Sequence, residues 1–310
     1  MARRTFVIVN PKSANGATGR HWPELRGALD RVLESWDSDF TLSRGDAMRL
    51  SRRAVAEGYD AIVSVGGDGT NNEVVSGMLD EAGAVVRPEL VLGLVRAGTG
   101  GDFTRMLGLS SRIPKAVEHL AGAGTRACDI GFIEAVDLGG APFRRAFLNE
   151  ASFGLSGVIV DRVNHTTKAF GGGVSFFAGL VRGLTTFRPW KLAIEVDGAP
   201  FYEGLVTAGV AANGQYFGGG MRIAKAAAID DGLLDIVVVT EIGAREIARV
   251  AELYTGDLVK WPSVRATRAR TLRATAAGGV EPVLLDVDGE QPGRLPATIR
   301  VIPNAIRLKV

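Results

Sequence analysis

Val65-Gly66-Gly67-Asp68-Gly69-Thr70 is the stretch that decides the fold. The residues leading into it, Ala61-Ile62-Val63-Ser64-Val65, are an apolar, β-branched run that reads as a strand buried on both faces. From about Asn71 the spacing turns helical. Glycines between a strand and a helix let the backbone turn tightly and approach a ligand with no Cβ in the way. Amides at such a turn, with the positive end of the next helix, favour a phosphate. Asp68 is expected at the tip of the loop, where a carboxylate can hold Mg²⁺ or a catalytic water. Thr70 and Glu73 have the spacing of a capping box, so Glu73 serves the helix start, a nucleotide, or both.

The same alternation extends outward. Residues 6–9 read as a strand ending at Asn10-Pro11, residues 19–36 as a helix and Phe40-Thr41-Leu42 as a short strand. Residues 47–57 read as a helix and 90–95 as a strand. Strands alternating with helices predict a parallel sheet covered on both faces. Two further loops leave strands of this sheet: Asn10-Pro11-Lys12-Ser13-Ala14-Asn15-Gly16, in which Lys12 can reach a phosphate, and Ala97-Gly98-Thr99-Gly100-Gly101-Asp102-Phe103. Open α/β sheets bind ligands at the carboxyl ends of strands, so three such loops together are a far stronger signal than any one. None has the Gly-x4-Gly-Lys-[Ser/Thr] spacing of a P-loop.

After about Thr125 the pattern changes. Strand candidates follow one another at 127–134, 144–150, 192–196, 205–211, 234–239, 271–274 and 283–287, which predicts an antiparallel, sandwich-like domain. A helical interlude at 174–187 carries Val174, Phe177, Leu180, Val181 and Leu184 as an apolar stripe, either core or lipid-facing, with Arg182 and Arg188 suited to anionic headgroups. Residues 298–310 read as two short strands around Pro303-Asn304. The expected division is an α/β domain over 1–125, with 297–310 a candidate to complete it, and a β-rich domain over 126–296.

The chain has 310 residues, 46% hydrophobic and 23% charged, with a net charge of +2, so neither wholesale disorder nor a global nucleic-acid footprint is indicated. Arg265, Arg268, Arg270 and Arg273 fit one solvated strand or loop face. Cys128 is the single cysteine, which allows no intrachain disulfide, fits a reducing compartment and suggests a buried thiol. His21, His119 and His165 show no zinc spacing. The apolar run 6–9 is too short for a signal core, and the longest uncharged stretch, 169–181, is too short to span a bilayer. The expected location is cytoplasmic, with any membrane contact peripheral.

Taken in order, Val9-Asn10-Pro11-x-Ser13, Gly66-Gly67-Asp68-Gly69-Thr70 and Gly98-Thr99-x-x-Asp102-Phe103 resemble the diacylglycerol kinase catalytic family, which includes sphingosine and ceramide kinases. Gly218-Gly219-Gly220-Met221, Asp231-Gly232-Leu233-Leu234-Asp235 and Asp288-Gly289-Glu290 continue the resemblance over nearly the whole chain. It implies an α/β nucleotide-binding domain followed by a β-rich domain, with the active site in the cleft between them. It also implies ATP and Mg²⁺ as cofactors, a lipid alcohol as acceptor, peripheral membrane contact and a possible homodimer. The nucleotide-binding set it implies is Asn10, Pro11, Lys12, Ser13, Ala14, Thr41, Gly66, Gly67, Asp68, Gly69, Thr70, Asn71, Asn72, Glu73, Gly98, Thr99 and Asp102. Two departures stand out: Arg96 where the family has proline, and Gly101 where it has asparagine.

Leu285-Asp286-Val287-Asp288-Gly289-Glu290 supplies carboxylates at a strand end, with a turn expected at Gly289. The resemblance implies catalytic roles for Glu290, Asp288 and Asp68; the chemistry of phosphoryl transfer does not choose among them. It further implies a structural Mg²⁺ held by the Asp231 carboxylate and the Ala228 and Leu233 carbonyls, while a metal-free Asp-Asp-Gly turn is the alternative. The competing functions are an NAD kinase, which shares Gly-Gly-Asp-Gly-Thr, and a non-catalytic nucleotide-binding regulator.

Overall fold

Residues 4–97, 101–165, 187–278 and 281–310 are described in the structure, a computed structural model. The chain divides into unit 1, Met1–Ile130 with Pro303–Val310, and unit 2, Gly131–Ile302. Both divisions fall inside strands rather than at the composition change near Thr125, because a strand that continues from one sheet to another shows no break in hydropathy.

Unit 1 runs β1 (Arg4–Val9), α1 (Ala17–Arg20), α2 (Trp22–Leu29), β2 (Ser35–Phe40), α3 (Asp46–Ala56), β3 (Ala61–Gly66), α4 (Asp68–Gly77), β4 (Val91–Arg96) and α5 (Asp102–Met106). The strands lie in the order β2-β1-β3-β4, all parallel. Every residue of β3 is buried, as a strand covered on both faces requires. Val7, Val9, Val63, Val65 and Val95 form one face of the core, against Leu25, Ala28 and Leu29 of α2. In α3 the buried residues Ala47, Leu50, Ser51, Ala54 and Val55 recur three and four apart, the stripe of a helix lying on a sheet.

Two expectations are corrected here. The helix expected over 19–36 ends at Leu29, and Trp36 belongs to β2, which lies upstream of the expected 40–42 strand. β2 is an edge strand, Ser-Trp-Asp-Ser-Asp-Phe, with a single strand partner and little apolar pattern to reveal it. Its aromatics serve packing: Phe40 and Trp36 meet Trp22 edge-on at 5.3 and 6.3 Å.

Unit 2 is entered along β5 (Thr125–Val136) and continues with β6 (Pro142–Phe147), β7 (Glu150–Gly154), α6 (Leu155–His165), β8 (Trp190–Val196), β9 (Ala199–Val206) and β10 (Ala208–Ala212). There follow β11 (Leu234–Val239), β12 (Val264–Ala269), β13 (Thr271–Ala276), β14 (Leu285–Val287) and β15 (Arg294–Lys309). One antiparallel sheet contains β15-β13-β8-β9; a second has the order β12-β11-β10-β7-β14. Ile236 and Val238 of β11 point into the core shared by the two sheets, whereas Val237 and Val239 face a second apolar cluster around Leu155, Ile159 and Trp261. This period-two alternation makes an antiparallel sandwich with an extra layer on one sheet.

The expected 144–150 and 205–211 strands are each two strands. The first divides between β6 and β7, the second between β9 and β10, because the chain changes pairing partners at 148–149 and at Thr207 while staying extended. The arginine cluster does not form one face: Arg265 and Arg268 lie on β12, Arg273 on β13, in different sheets. Residues 298–309 belong to a single strand, β15, whose Arg307 and Leu308 pair in parallel with Val91 and Leu92 of β4 and so complete the sheet of unit 1. The expected 174–187 helix lies outside the described residues except Phe187, which meets Trp190 at 4.6 Å. Cys128 is buried. Among the described residues, no helix is long and apolar enough to cross a membrane.

Candidate active site

In unit 1 the loops at the carboxyl ends of β1, β3 and β4 are tied to one another. The Asn10 amide donates to Thr70 Oγ1 at 2.9 Å, and its carbonyl side accepts from the Lys12 N–H at 3.0 Å. Ser13 Oγ donates to the Asn10 carbonyl at 2.8 Å and shares a 2.6 Å bond with Thr18 Oγ1, which in turn donates to the Ala97 carbonyl at 3.0 Å. Lys12 Nζ donates to the Leu42 carbonyl at 3.0 Å. Thr41 sits at the end of β2, its N–H bonded to the Val9 carbonyl at 2.9 Å. Pro11 is joined to the next helix through Gly19 N–H, at 3.1 Å, and Ala14 takes a left-handed φ of 51° in the turn between. The sequence-expected loop residues thus converge on one edge. Gly98 and Thr99 lie outside the described residues.

The glycine turn has a different internal logic from the one expected. Helix α4 begins at Asp68, not near Asn71, with Gly67 as N-cap at φ −100°. Gly67 therefore has no conformational need to be glycine. Gly66 has a steric one: a Cβ there would lie 2.5 Å from Thr70 Oγ1. Asp68 is in the first turn of α4 rather than at a loop tip, and its Oδ2 accepts from the N–H groups of Gly101 and Asp102 at 2.9 and 3.3 Å. It thereby sets the start of α5 and the end of the third loop. Asp102, buried, pairs with Arg105 at 3.0 Å. Thr70 is inside the helix, so the capping box is not made. Glu73 instead accepts from Gly45 and Ala47 N–H at 2.9 and 3.1 Å, which caps the start of α3. Asn71 and Asn72 are buried, and Asn71 Oδ1 accepts from Ser64 Oγ at 2.7 Å.

The two departures from the family pattern meet in space. Gly101 has φ 66°, and a Cβ built on it would lie 2.7 Å from Arg96 Nε and 2.9 Å from Thr104 Oγ1. The Arg96 side chain fills the space that a side chain at 101 would enter.

In unit 2 the carboxylates gather at the β14 end. Val287 and Glu290 close a two-residue hairpin with bonds of 2.8 and 3.1 Å, with Asp288 at φ 49° and Gly289 at φ 83°, the backbone of a type I′ turn. Asp288 is buried, and its carboxylate accepts three backbone N–H groups, from Leu148, Asn149 and Glu150, at 2.9, 2.9 and 3.0 Å. Glu290 pairs with Arg145 at 2.6 Å. Asp286 accepts from Gly289 N–H at 2.9 Å. Burial pushes the Asp286 carboxyl up to about 7. Beside it Glu150 is 2% exposed, and burial, with the charges of Asp286 and Asp288, raises its carboxyl well above the usual range. Glu150 and Arg145 were not anticipated. The signal for Glu150 was available: a lone acid inside the apolar run 146–153.

Of the residues of the implied structural metal, Asp231 has side-chain and backbone partners of its own. Asp231 Oδ1 accepts from Leu233 N–H at 3.0 Å, and its Oδ2 is paired with the Arg268 guanidinium, which also reaches Asp235 at 3.5 Å. The Arg268 guanidinium is the cation beside the Asp231 carboxylate in this structure.

Unit 2 also contains an apolar cavity of about 60 Å³, walled by Leu155, Ile159, Val210, Phe217, Met221 and Trp261 among others. That exceeds the roughly 10–15 Å³ a water molecule needs, yet the lining has almost no polar atoms to hold one. Ser156 stands on its wall, bonded to Ser152 Oγ at 2.8 Å, and Ser152 lies opposite Asp286 in the β7–β14 register.

Residues 4–133 match the diacylglycerol kinase catalytic domain, and residues 149–310 match the YegS C-terminal NAD kinase beta sandwich-like domain. The chain is 29% identical over 310 residues to a diacylglycerol kinase of Mycobacterium tuberculosis, covering 98% of this chain and 94% of that one. It is 28% identical over 298 residues to a diacylglycerol kinase of Staphylococcus carnosus, covering 96% and 92%. A crystal structure of a diacylglycerol kinase from Bacillus anthracis shares the fold, with a TM-score of 0.73 at 22% identity, covering 99% of this chain and 97% of that one.

Proposed function

Because the chain belongs to the diacylglycerol kinase catalytic family and is therefore a kinase, we propose that it transfers the γ-phosphate of ATP, taken as its Mg²⁺ complex, to the hydroxyl of a lipid alcohol such as diacylglycerol. The observation that carries the lipid half of this reading is the dry cavity of unit 2. An apolar enclosure takes a methylene segment in preference to water, and its one serine edge leads toward the carboxylates of the hairpin.

Phosphoryl transfer asks the protein chiefly for position and charge. Unit 1 supplies the nucleotide side. Asn10, Ser13 and Thr70 hold the loops in register, Lys12 is the cation within reach of phosphate, and Asp68 orients the Gly101 and Asp102 amides. Unit 2 supplies the acceptor side. Asp288 is saturated by amides and fixes the 148–150 backbone, whereas the Glu290 carboxylate is held by the Arg145 side chain. We assign Glu290 as the group that takes the hydroxyl proton, with Arg145 holding it in place. The test is a panel of lipid alcohols and NAD offered with γ-labelled ATP and Mg²⁺, with Asp68→Ala as control. Label should pass to a lipid. Transfer to NAD alone would overturn the lipid reading.

A further inference from the structure

β7 and β14 place two buried acids side by side. In their antiparallel register Asp286 lies opposite Ser152 and Val287 opposite Ala151. Side chains alternate along a strand, so Glu150, Ser152 and Asp286 share one face, with Glu150 diagonal to Asp286. The alternate residues Ala151, Phe153, Leu285 and Val287 point the other way, into the sandwich core. Glu150 and Asp286 are 2% and 3% exposed. Burial disfavours charge on both acids, and the charge of Asp286 adds to the pressure on Glu150. Two buried carboxylates on one face of a strand pair repel, and the repulsion is relieved when one of them keeps its proton. Glu150 Oε2 is buried with no donor in reach among the described residues, and a bare anionic oxygen there would be costly.

The surrounding charges press the same way. Asp288 raises the carboxyls of both acids, and Glu290, itself paired with Arg145, raises that of Asp286. On α6, the described polar neighbour is Ser156, which is neutral. Asp286 differs from Glu150 in its donor: it accepts from the Gly289 N–H and so grips the hairpin turn.

We propose that Glu150 and Asp286 are positioning residues, a carboxyl pair that holds one shared proton and, through Gly289, sets the hairpin that presents Asp288 and Glu290. Glu150 is the donor and Asp286 the acceptor of the shared proton. When the pair takes up a second proton, Asp286 loses charge and its hold on Gly289 weakens. When it loses the shared proton, two buried anions repel and the hairpin opens. The hairpin is therefore best held with one proton on the pair. The titration is linked to stability. Both acids bind protons more tightly folded than unfolded, so the stability they contribute is full in acid and declines as pH rises from about 4, where an Asp ionises in the unfolded chain, to about 7, where Asp286 ionises in the folded one.

The consequence for catalysis rests on the phosphotransfer reading; the existence of the pair does not. Infrared spectra of the full chain at neutral pH should show the carbonyl stretch of a buried protonated carboxyl. That band should vanish in Glu150→Gln, whose amide donates to Asp286 without a titratable proton, and should shift in Asp286→Asn, where the partner changes. The decline of melting temperature between about pH 4 and 7 should flatten in Asp286→Asn. In lipid phosphorylation, the acid limb of the kcat profile should move in both variants while KM for ATP stays constant. A wild-type spectrum without the band, or one that both variants leave unchanged, overturns the pair. An unmoved kcat profile overturns its positioning role. The infrared and melting measurements need no lipid substrate, so they decide the pair even if the acceptor proves not to be a lipid.

Discussion

Asp68 of unit 1 and the acids of unit 2 are the same chemistry put to opposite uses. Asp68 lies at a helix start and receives two backbone N–H groups, so its negative charge is welcome where it stands. Glu73 does the same for α3. In unit 2 the acids crowd together: Asp288 takes three N–H groups, Glu290 takes an arginine, Asp286 takes one N–H, and Glu150 Oε2 is buried without a donor among the described residues. A carboxylate given donors is a brace. A carboxylate denied them keeps a proton, or an appetite for one, near neutral pH. Glu290, held by a single arginine, stands between the two kinds.

The sharpest way to break this contrast is Glu290→Gln. The amide keeps the shape and removes the basicity, so kcat should fall by about 10²–10⁴-fold while the Kd for ATP holds, because the lost interaction belongs to the transition state. Single-turnover rates with a nucleotide titration read both quantities. Wild-type turnover would remove Glu290 as proton acceptor and return the role to Asp68 or Asp288. Asp288→Ala tests the brace beside it. Three buried N–H groups lose their acceptor, so the cost should be about 3–5 kcal/mol in chemical denaturation. A variant with wild-type stability and lost turnover would make Asp288 a chemical group instead.

Much of this was legible in the sequence. The continuous apolar runs of β1, β3 and β4 announced a parallel sheet, and the glycine loops after them announced its ligand edge. What was not legible is instructive. β2 carries too few apolar residues to register. β6 with β7, and β9 with β10, hide a change of partner inside one extended stretch. The partners of Glu73 and Asp288 lie 26–28 and 138–140 residues away, beyond any local spacing rule. Capping motifs are local, and Glu73 obeys a tertiary version of the same physics: it caps a helix, but not its own.

The paired departures in the third loop give a test of intermediate size. Gly101→Asn pushes a Cβ to within 2.7 Å of Arg96 Nε, so it should destabilise by about 1–3 kcal/mol. Arg96→Ala empties that space. In the double variant the Asn side chain has room, and the cycle should return a favourable coupling of about 0.5–3 kcal/mol. Additive effects, measured by urea denaturation of all four proteins, would mean that the two positions changed independently.

The smallest effect separates the two uses of a carboxylate most cleanly. Glu73 was expected at the start of its own helix, near a nucleotide, or both. Its two oxygens are occupied by the Gly45 and Ala47 amides at the start of α3, where Gly45 has φ 85° and offers no side-chain cap of its own. Glu73→Ala removes both acceptors and the favourable charge at that helix end, so stability should fall by about 1 kcal/mol, within the range for a lost cap. Glu73→Gln keeps one acceptor oxygen and should lose less. Neither change should alter the Kd for ATP by more than the experimental scatter of a nucleotide titration. The opposite pattern, an unchanged melting temperature with weakened nucleotide binding, would move Glu73 from the bracing set to the ligand set. The division drawn in unit 1 would then have to be redrawn, with Asp68 the next residue to question.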